Sequence, residues 1–480
     1  MNENIYDTKV QVLKCKVLKE VAKLAWSNEL LEKVLEIPEK IIPGTEPSMR
    51  CCVYKERAIL SQRIKLAIGG NKNNKRIIQV IKIACEDCPT GGYEVTASCR
   101  SCLAHRCAEA CRRNAISFGA DQKAIIDKEK CIECGSCAAV CPYHAIIDFK
   151  RPCESSCKVN AISKGCDNEA EIDYEKCISC GACAYACPFG AITDRSFILD
   201  AVDLLKKSSA EMPVYALIAP AIAGQFGNAD IGHIISGIKQ LGFTDVYEAA
   251  AGADVVTDRE CDEFLEKGFL FSSCCPAFVS YIEKNFPELK GNISSNLSPM
   301  GTLAALLKES KPEAKIIFIG PCTAKKAEYR REEYKGLVDC VLTFEELQAL
   351  FESKDIDIKK LNPEKTPGAS PYGRKFAASG GLAAAVGRSL NEKNIGEVSF
   401  NPLICSGISE CRAALLKTAK KVIKENFIEG MACSGGCISG AGCLTHSNKN
   451  YSSVDKFAAE SDIMTIGESV DRITMKNKRI

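Results

Sequence analysis

The sequence has almost no excess of charge: 63 Lys and Arg against 61 Asp and Glu leave a formal net charge of +2 over 480 residues. With no long run of one sign either, nothing points to a nucleic-acid or anionic membrane surface. No stretch approaches the roughly 18 apolar residues that a spanning helix needs. The opening MNENIYDTKV lacks a basic segment followed by an apolar one, so a soluble cytoplasmic protein is expected. No G-x-G-x-x-G follows a strand pattern, which argues against a dinucleotide as the direct partner. The chain is too long for one core, and two or three domains are expected.

Cysteine is the residue present in excess, at 30. Tight C-x2-C spacings in a long chain favour metal over disulfides. Seventeen of the cysteines fall between Cys85 and Cys187, while the second half carries most of the others at separate points. Two segments, CIECGSCAAVCPYHAI from Cys131 and CISCGACAYACPFGAI from Cys177, each read C-x2-C-x2-C-x3-C-P. This is the bacterial ferredoxin run, in which the fourth cysteine ligates the other cluster of a pair. The reading assigns one 4Fe-4S cluster to Cys131, Cys134, Cys137 and Cys187, and a second to Cys177, Cys180, Cys183 and Cys141. A zinc site is the alternative for any single C-x2-C, but two repeats of four do not suit one tetrahedron.

Weaker copies flank these runs. CRSCLAHRCAEACRRNAI starts at Cys99, and CESSCKVNAI starts at Cys153 without a leading pair, which Cys85 and Cys88 of CEDC can supply. By the same cross-ligation, Cys99, Cys102 and Cys107 join Cys157 in a third cluster, and Cys85, Cys88 and Cys153 join Cys111 in a fourth. For this last group a zinc knuckle is the rival, and Cys166 is left over. Such a series carries single electrons to or from a reaction centre.

Residues 1–80 read as a mostly helical region, with apolar residues at helical spacing in TKVQVLKCKVLKEVAKLAW and NELLEKVLEIPEKII, and a strand entering the cluster region at RIIQV. Cys15, Cys51 and Cys52 are candidate ligands, though buried free thiols are the commoner outcome. Residues 81–200 form the ferredoxin-like part. From 210 to 480 short apolar strands alternate with helices, which indicates an α/β fold with parallel sheets. Strands are expected in VYALIAP, FLFSSCC, KIIFIGPC, SFNPLIC and IEGMAC, and four of the five run into cysteine. Ligands of open α/β sheets collect beyond the carboxyl ends of strands, so Cys275, Cys322, Cys433 and Cys437 are expected around one centre.

FSSCCPAF, IGPCTAKKAE and EGMACSGGCISGAG look like the three signature loops of FeFe hydrogenases, closest to their group B branch. The likeness covers residues from about 85 to 445. The fold it implies is α+β ferredoxin-like cluster domains followed by a two-lobed α/β hydrogenase domain. It also implies an H-cluster: a 4Fe-4S cubane on Cys275, Cys322, Cys433 and Cys437, joined through the Cys437 sulfur to a two-iron unit bearing CO, cyanide and a dithiolate amine. Lys325 would donate to a cyanide, while Ala219, Pro220, Pro299 and Met431 would line the cofactor. Cys274, next to a ligand yet facing the other way, would pass protons between the amine and Glu260, Ser294 and Glu263. The expected activity is reversible cleavage and formation of H2 by a ferredoxin-dependent hydrogenase. Ferredoxin or flavodoxin would be the electron partner, maturation proteins would supply the two-iron unit, and the host would be an anaerobe.

Several positions depart from the commonest family pattern: Gly320 where methionine is usual, Phe278 for tryptophan, Ala384 for a glutamate, and an additional Cys443. Two other readings stand beside catalysis: a low-turnover H2 sensor with the same cofactor, and a hydrogenase-like iron–sulfur protein of assembly or structural type that lacks the two-iron unit.

Overall fold

The computed structural model describes residues 5–50, 52–71, 73–85, 88–89, 91–227, 229–394 and 398–478, with side chains to residue 474. Cys51 lies outside these residues. Among the described residues no helix is long and apolar enough to cross a membrane.

The chain opens with helices Lys9–Trp26 and Val53–Ala67 and short helical turns between them. Thr8 caps the first through a reciprocal pair with Gln11, which satisfies two otherwise orphaned N–H groups. Its inner face, including Cys15, Leu18 and Val21, is buried against the helix Phe344–Ser353. Cys15 is thus a core thiol, away from any cluster run.

Eight strands of three residues each follow: β1 (Ile78–Val80), β2 (Tyr93–Val95), β3 (Ile116–Phe118), β4 (Ala124–Ile126), β5 (Ile146–Asp148), β6 (Ile162–Lys164), β7 (Ala170–Ile172) and β8 (Ile192–Asp194). They pair antiparallel as β1–β8, β2–β5, β3–β4 and β6–β7. Sheets this small bury little, so their ladders alone do not make a stable unit.

The remaining strands are all parallel. β9 (Val214–Ile218), β10 (Asp245–Glu248), β12 (Lys315–Ile319) and β13 (Cys340–Leu342) form one sheet in the order β10-β9-β12-β13. β11 (Leu270–Phe271), β14 (Pro402–Ser406) and β15 (Phe427–Met431) form another, in the order β11-β15-β14. These are the two lobes expected of the second half. All five anticipated strands are present; β10 and β13 were not anticipated, because DVYE and CVL are short and lack a clear apolar run. β9 and β15 are buried at every position, as central parallel strands must be when helices cover both faces.

Buried ion pairs join the parts. Lys326 bonds Asp194 at 2.8 Å and Glu346 at 2.7 Å, and Lys14 of the first helix bonds Glu345 at 2.6 Å and pairs with Asp194 as well. Burial raises the Asp194 carboxyl, but Lys14 and Lys326 more than offset this and hold it well below the usual range. The helical N-terminus, the end of β8 and the α/β second half are thereby locked together. Within that half, Arg374 clamps Glu248 with two bonds of 2.8 Å and donates to the Phe457 carbonyl at 2.7 Å. Arg374→Ala leaves Glu248 buried without a partner. It is expected to cost about 3–5 kcal/mol, read as a lowered urea midpoint of the metal-free protein.

Candidate metal centre

The two lobes meet at a cavity with about 880 Å³ of space unfilled by protein atoms. Cys275, Cys322, Cys433 and Cys437 all line it, brought there by the carboxyl ends of strands. Cys275 follows β11 and precedes the helix Pro276–Asn285; Cys322 follows β12; Cys433 and Cys437 follow β15. The expected convergence is therefore present, and none of the four is in a disulfide. Among the described residues no three potential ligands stand close enough to hold a single metal ion. Thiols that ring a space rather than a point suit a cubane, where each sulfur binds its own iron.

Burial, followed by the sulfurs of Cys275 and Cys437, raises the Cys322 thiol well above its ordinary range. Cys433 is raised by burial and then by Cys322 and Cys275, and Cys437 is pushed up to about 12, mainly by burial and then by Cys275. Four thiolates cannot share this apolar space without compensating positive charge, which a cluster's iron supplies. The donor set thus fits an iron–sulfur cluster.

The walls beyond the four thiols come from Ala219, Pro220, Pro299 and Met431, all of which face the cavity, and from Cys274 and Lys325. Lys325 and Lys326 are adjacent but turn to opposite sides: Lys326 enters the ion cluster described above, while Lys325 points at the cavity. Lys325 bonds Glu328 at 2.7 Å and reaches the Cys274 carbonyl at 3.5 Å. Burial lowers its pKa, yet Glu328 outweighs this and keeps it a cation. Glu328 is held in turn by Ser298 at 3.1 Å and Tyr334 at 3.0 Å. Glu328, Ser298 and Tyr334 were not anticipated; the signal available was the glutamate three residues after a motif lysine, on the same helical face.

Cys274 leads away from the cavity. Its thiol is raised well above the ordinary value by burial and then by Glu260. Glu260 and Glu263 share a face of the helix Ala249–Lys267, as their spacing implied. Glu260 Oε1 accepts from both the backbone N–H and the hydroxyl of Ser273, each at 3.2 Å. Its Oε2 accepts no well-aligned bond, while the Ser294 hydroxyl is near enough to lower the acid's pKa. Ser294 donates to Glu263 at 2.9 Å, and Glu263 also takes bonds from Lys267 at 2.7 Å and Asn296 at 3.0 Å. Cys274, Glu260, Ser294 and Glu263 therefore form one file from the cavity outward.

Burial is the largest influence on Glu260 and pushes its pKa from 4.5 to about 7. The folded state then holds a proton that the unfolded state has released between those values, so this group's contribution to stability falls as pH rises through that window. The full difference is about 3 kcal/mol. Glu260→Gln of the metal-free protein is expected to show a larger urea midpoint relative to wild type at pH 8 than at pH 5.

Glu429 of β15 is a second buried carboxyl at about 7, raised chiefly by burial and lowered by bonds from Ala383 and Gly380. Those N–H groups, at 2.8 Å and 2.7 Å, open the helix Gly381–Glu392, which has no side-chain cap of its own. The glutamate serves as that cap from a neighbouring strand.

The departures in the signature loops have structural counterparts. A Cβ at Gly320 would lie 2.5 Å from the Phe318 ring, which occupies the room a larger residue would need. Phe278 is fully buried, with a ring atom 2.3 Å from where a Cβ on Gly430 would sit. Ala384 is exposed. The Cys443 thiol is buried and donates to the carbonyls of Ile438 at 3.4 Å and Cys437 at 3.8 Å, which makes it a support of the last ligand loop.

The ferredoxin-like runs are paired differently from the expectation. Four backbone bonds set the register: Ile81 N–H to Ala191 O at 2.7 Å, Thr96 to Ala145 at 2.7 Å, Asp127 to Ala115 at 2.8 Å, and Asp173 to Ala161 at 2.8 Å. Each joins the approach to a leading cysteine with the residue four past a trailing one. Cys85 is thus set beside Cys187, Cys99 beside Cys141, Cys131 beside Cys111 and Cys177 beside Cys157. The assignments of Cys187 to Cys131, Cys134 and Cys137, and of Cys141 to Cys177, Cys180 and Cys183, are corrected accordingly. So are those of Cys157 to the Cys99 run and Cys111 to the Cys85 pair. The cause is that cross-pairing runs between adjacent repeats, not between the two with the best spacing. Burial raises Cys85, Cys88 and Cys153, and in each the sulfur of Cys187 adds to the rise. Cys157 acts likewise on Cys177, Cys180 and Cys183. Cys180 also lines the central cavity, so its group is the one beside the four-thiol centre. Cys166 is exposed in the β6–β7 hairpin.

Residues 212–441 match the iron only hydrogenase large subunit, C-terminal domain, and residues 124–147 and 170–193 each match the 4Fe-4S binding domain. This is an FeFe hydrogenase-like protein. Iron hydrogenase 1 of Clostridium pasteurianum is 28% identical over 303 residues, 52% of this chain and 53% of that one. The chain thus spans about half the length of that relative. Cytosolic Fe-S cluster assembly factor NAR1 of Kluyveromyces lactis is 40% identical over 98 residues, 20% of this chain and 21% of the other. A solved structure of a variant of FeFe-hydrogenase HydA1 from Chlamydomonas reinhardtii aligns at a TM-score of 0.48 and 22% identity, over 58% of this chain and 93% of that chain.

Proposed function

We propose that this hydrogenase-like protein catalyses the reversible interconversion of dihydrogen with protons and electrons. The observation that carries the reading is the file from the four-thiol cavity through Cys274, Glu260, Ser294 and Glu263. A cavity meant only to store or donate a cubane has no use for a thiol and two carboxyls in series leading out of it.

In this reading Cys275, Cys322, Cys433 and Cys437 would hold the cubane, and Cys437 would also hold the two-iron unit. When bound, that unit supplies heterolytic chemistry on dihydrogen. The residues around it exclude water, since the walls are almost wholly apolar. The Lys325 cation donates to an anionic group in the cavity while Glu328 fixes its position. Cys274 takes or gives a proton at Sγ. Glu260, with its pKa about 7, exchanges that proton at neutral pH. Its Oε1 accepts from Ser273, which leaves Oε2 to carry the proton. The Ser294 hydroxyl then passes one proton to Glu263 as it receives another. Electrons enter or leave singly by way of the Cys177 run, with a ferredoxin or flavodoxin as the expected partner and maturation proteins as the source of the two-iron unit. Cytoplasmic placement belongs to the same proposal.

The NAR1 likeness favours a second reading, an iron–sulfur assembly protein without the two-iron unit. A hydrogen-evolution assay with reduced viologen on anaerobically matured protein separates the two. Sustained turnover is the expected result; filled cubanes without turnover would favour the assembly reading, and slow turnover under hydrogen would favour a sensor.

A further inference from the structure

The β-ladders of the cysteine-rich region do not follow chain order. β1 pairs with β8 and β6 with β7, while β2 pairs with β5 and β3 with β4. The segment 93–148 is therefore a closed unit lying between Cys85 and Cys88 on one side and Cys153 on the other. This explains why the run at Cys153 has no leading pair: the pair belongs to it but precedes the inserted unit. Within each unit one short helix packs on another, Arg106–Glu109 on Ser136–Val140 and Pro152–Ser156 on Ala182–Ala186.

Four trailing cysteines repeat one local structure. The sulfurs of Cys111, Cys141, Cys157 and Cys187 accept from the backbone N–H four residues on, at 3.3, 3.4, 3.2 and 3.2 Å. The residue before that N–H is left-handed in all four: Asn114, His144, Asn160 and Gly190. An N–H aimed at a sulfur stabilises the thiolate that binds iron. That this geometry recurs at all four positions, including the two with degenerate sequence, marks the four as equivalent.

We propose that this region carries four 4Fe-4S clusters as two nested pairs. The inner pair is held by Cys85, Cys88, Cys153 with Cys187 and by Cys177, Cys180, Cys183 with Cys157. The inserted pair is held by Cys99, Cys102, Cys107 with Cys141 and by Cys131, Cys134, Cys137 with Cys111. In two of these sites three of the four cysteines lie outside the segments that match the 4Fe-4S binding domain. Cys134 is exposed, so the inserted pair stands toward solvent and the Cys177 group toward the cavity. The proposal holds whatever is catalysed there.

The test uses the full chain, reconstituted anaerobically with iron and sulfide, followed by native thiol alkylation and peptide mass spectrometry. In C85A/C88A, Cys153 and Cys187 should become newly alkylated while the Cys131 run stays protected. In C99A/C102A the newly alkylated residues should be Cys107 and Cys141. Exposure of Cys111 in the first variant, or of Cys157 in the second, would overturn the pairing. The wild type gives an independent reading if a variant fails to fold. All sixteen cysteines of the four groups should be protected from alkylation there, and labelling of all four thiols of any one group would overturn the four-cluster count. None of these readings depends on hydrogen turnover.

Discussion

Cys274→Ala is expected to retain its full iron content and to lose roughly two to four orders of magnitude of hydrogen turnover. The thiol is buried, it lines the cavity, and Glu260 is one of its closest charged neighbours. Alanine removes the thiol at the cavity end of the file without touching a strand, a helix cap or a thiol proposed to bind iron. The loss should therefore fall on the rate and not on folding or loading. Turnover within threefold of wild type, measured with reduced viologen at matched iron content, would show that protons reach the cavity another way.

Cys437→Ala should have the larger effect on assembly. This cysteine begins the last loop, between the turn at Gly435 and Gly436 and the support from Cys443. As the residue proposed to hold the two-iron unit, it would tie that unit to the chain. Its loss is expected to abolish turnover and retention of that unit, and to remove up to about four irons from the cavity. The ferredoxin-like clusters, whose thiols lie in separate loops, should keep their absorbance. Normal retention of CO and cyanide in the variant would contradict this role.

Much of this site was legible in the sequence because its chemistry is carried by residues whose spacing has few meanings. Three cysteine loops at the ends of apolar strands located the cavity, and two glutamates three apart on a helix located the outward file. What escaped was set by contacts distant in the chain. Glu328 matters because Ser298 and Tyr334 come to it from another segment, and Glu429 caps a helix that begins 48 residues earlier in the sequence, a relation no local pattern announces. The cluster pairing failed for a related reason. Repeat quality points to one set of partners, whereas backbone bonds such as Thr96 to Ala145 set the runs side by side by adjacency. An insertion that splits one unit leaves the motif intact and moves half of it upstream.

The departures show the same division. Gly320 reads as a lost methionine in sequence, and only the position of the Phe318 ring explains why a small residue stands there. Cys443 stands in the sequence only as an additional cysteine, and in the structure is a buried donor to the loop that carries Cys437.

The central claim is that the cavity holds a two-iron unit beside its cubane. Infrared spectroscopy of protein matured anaerobically tests it most directly, because CO and cyanide bound to iron absorb where protein does not. Sharp bands for both ligands are expected, and they shift when Lys325 is replaced by methionine. Protein with its cubanes filled and no such bands would contradict it.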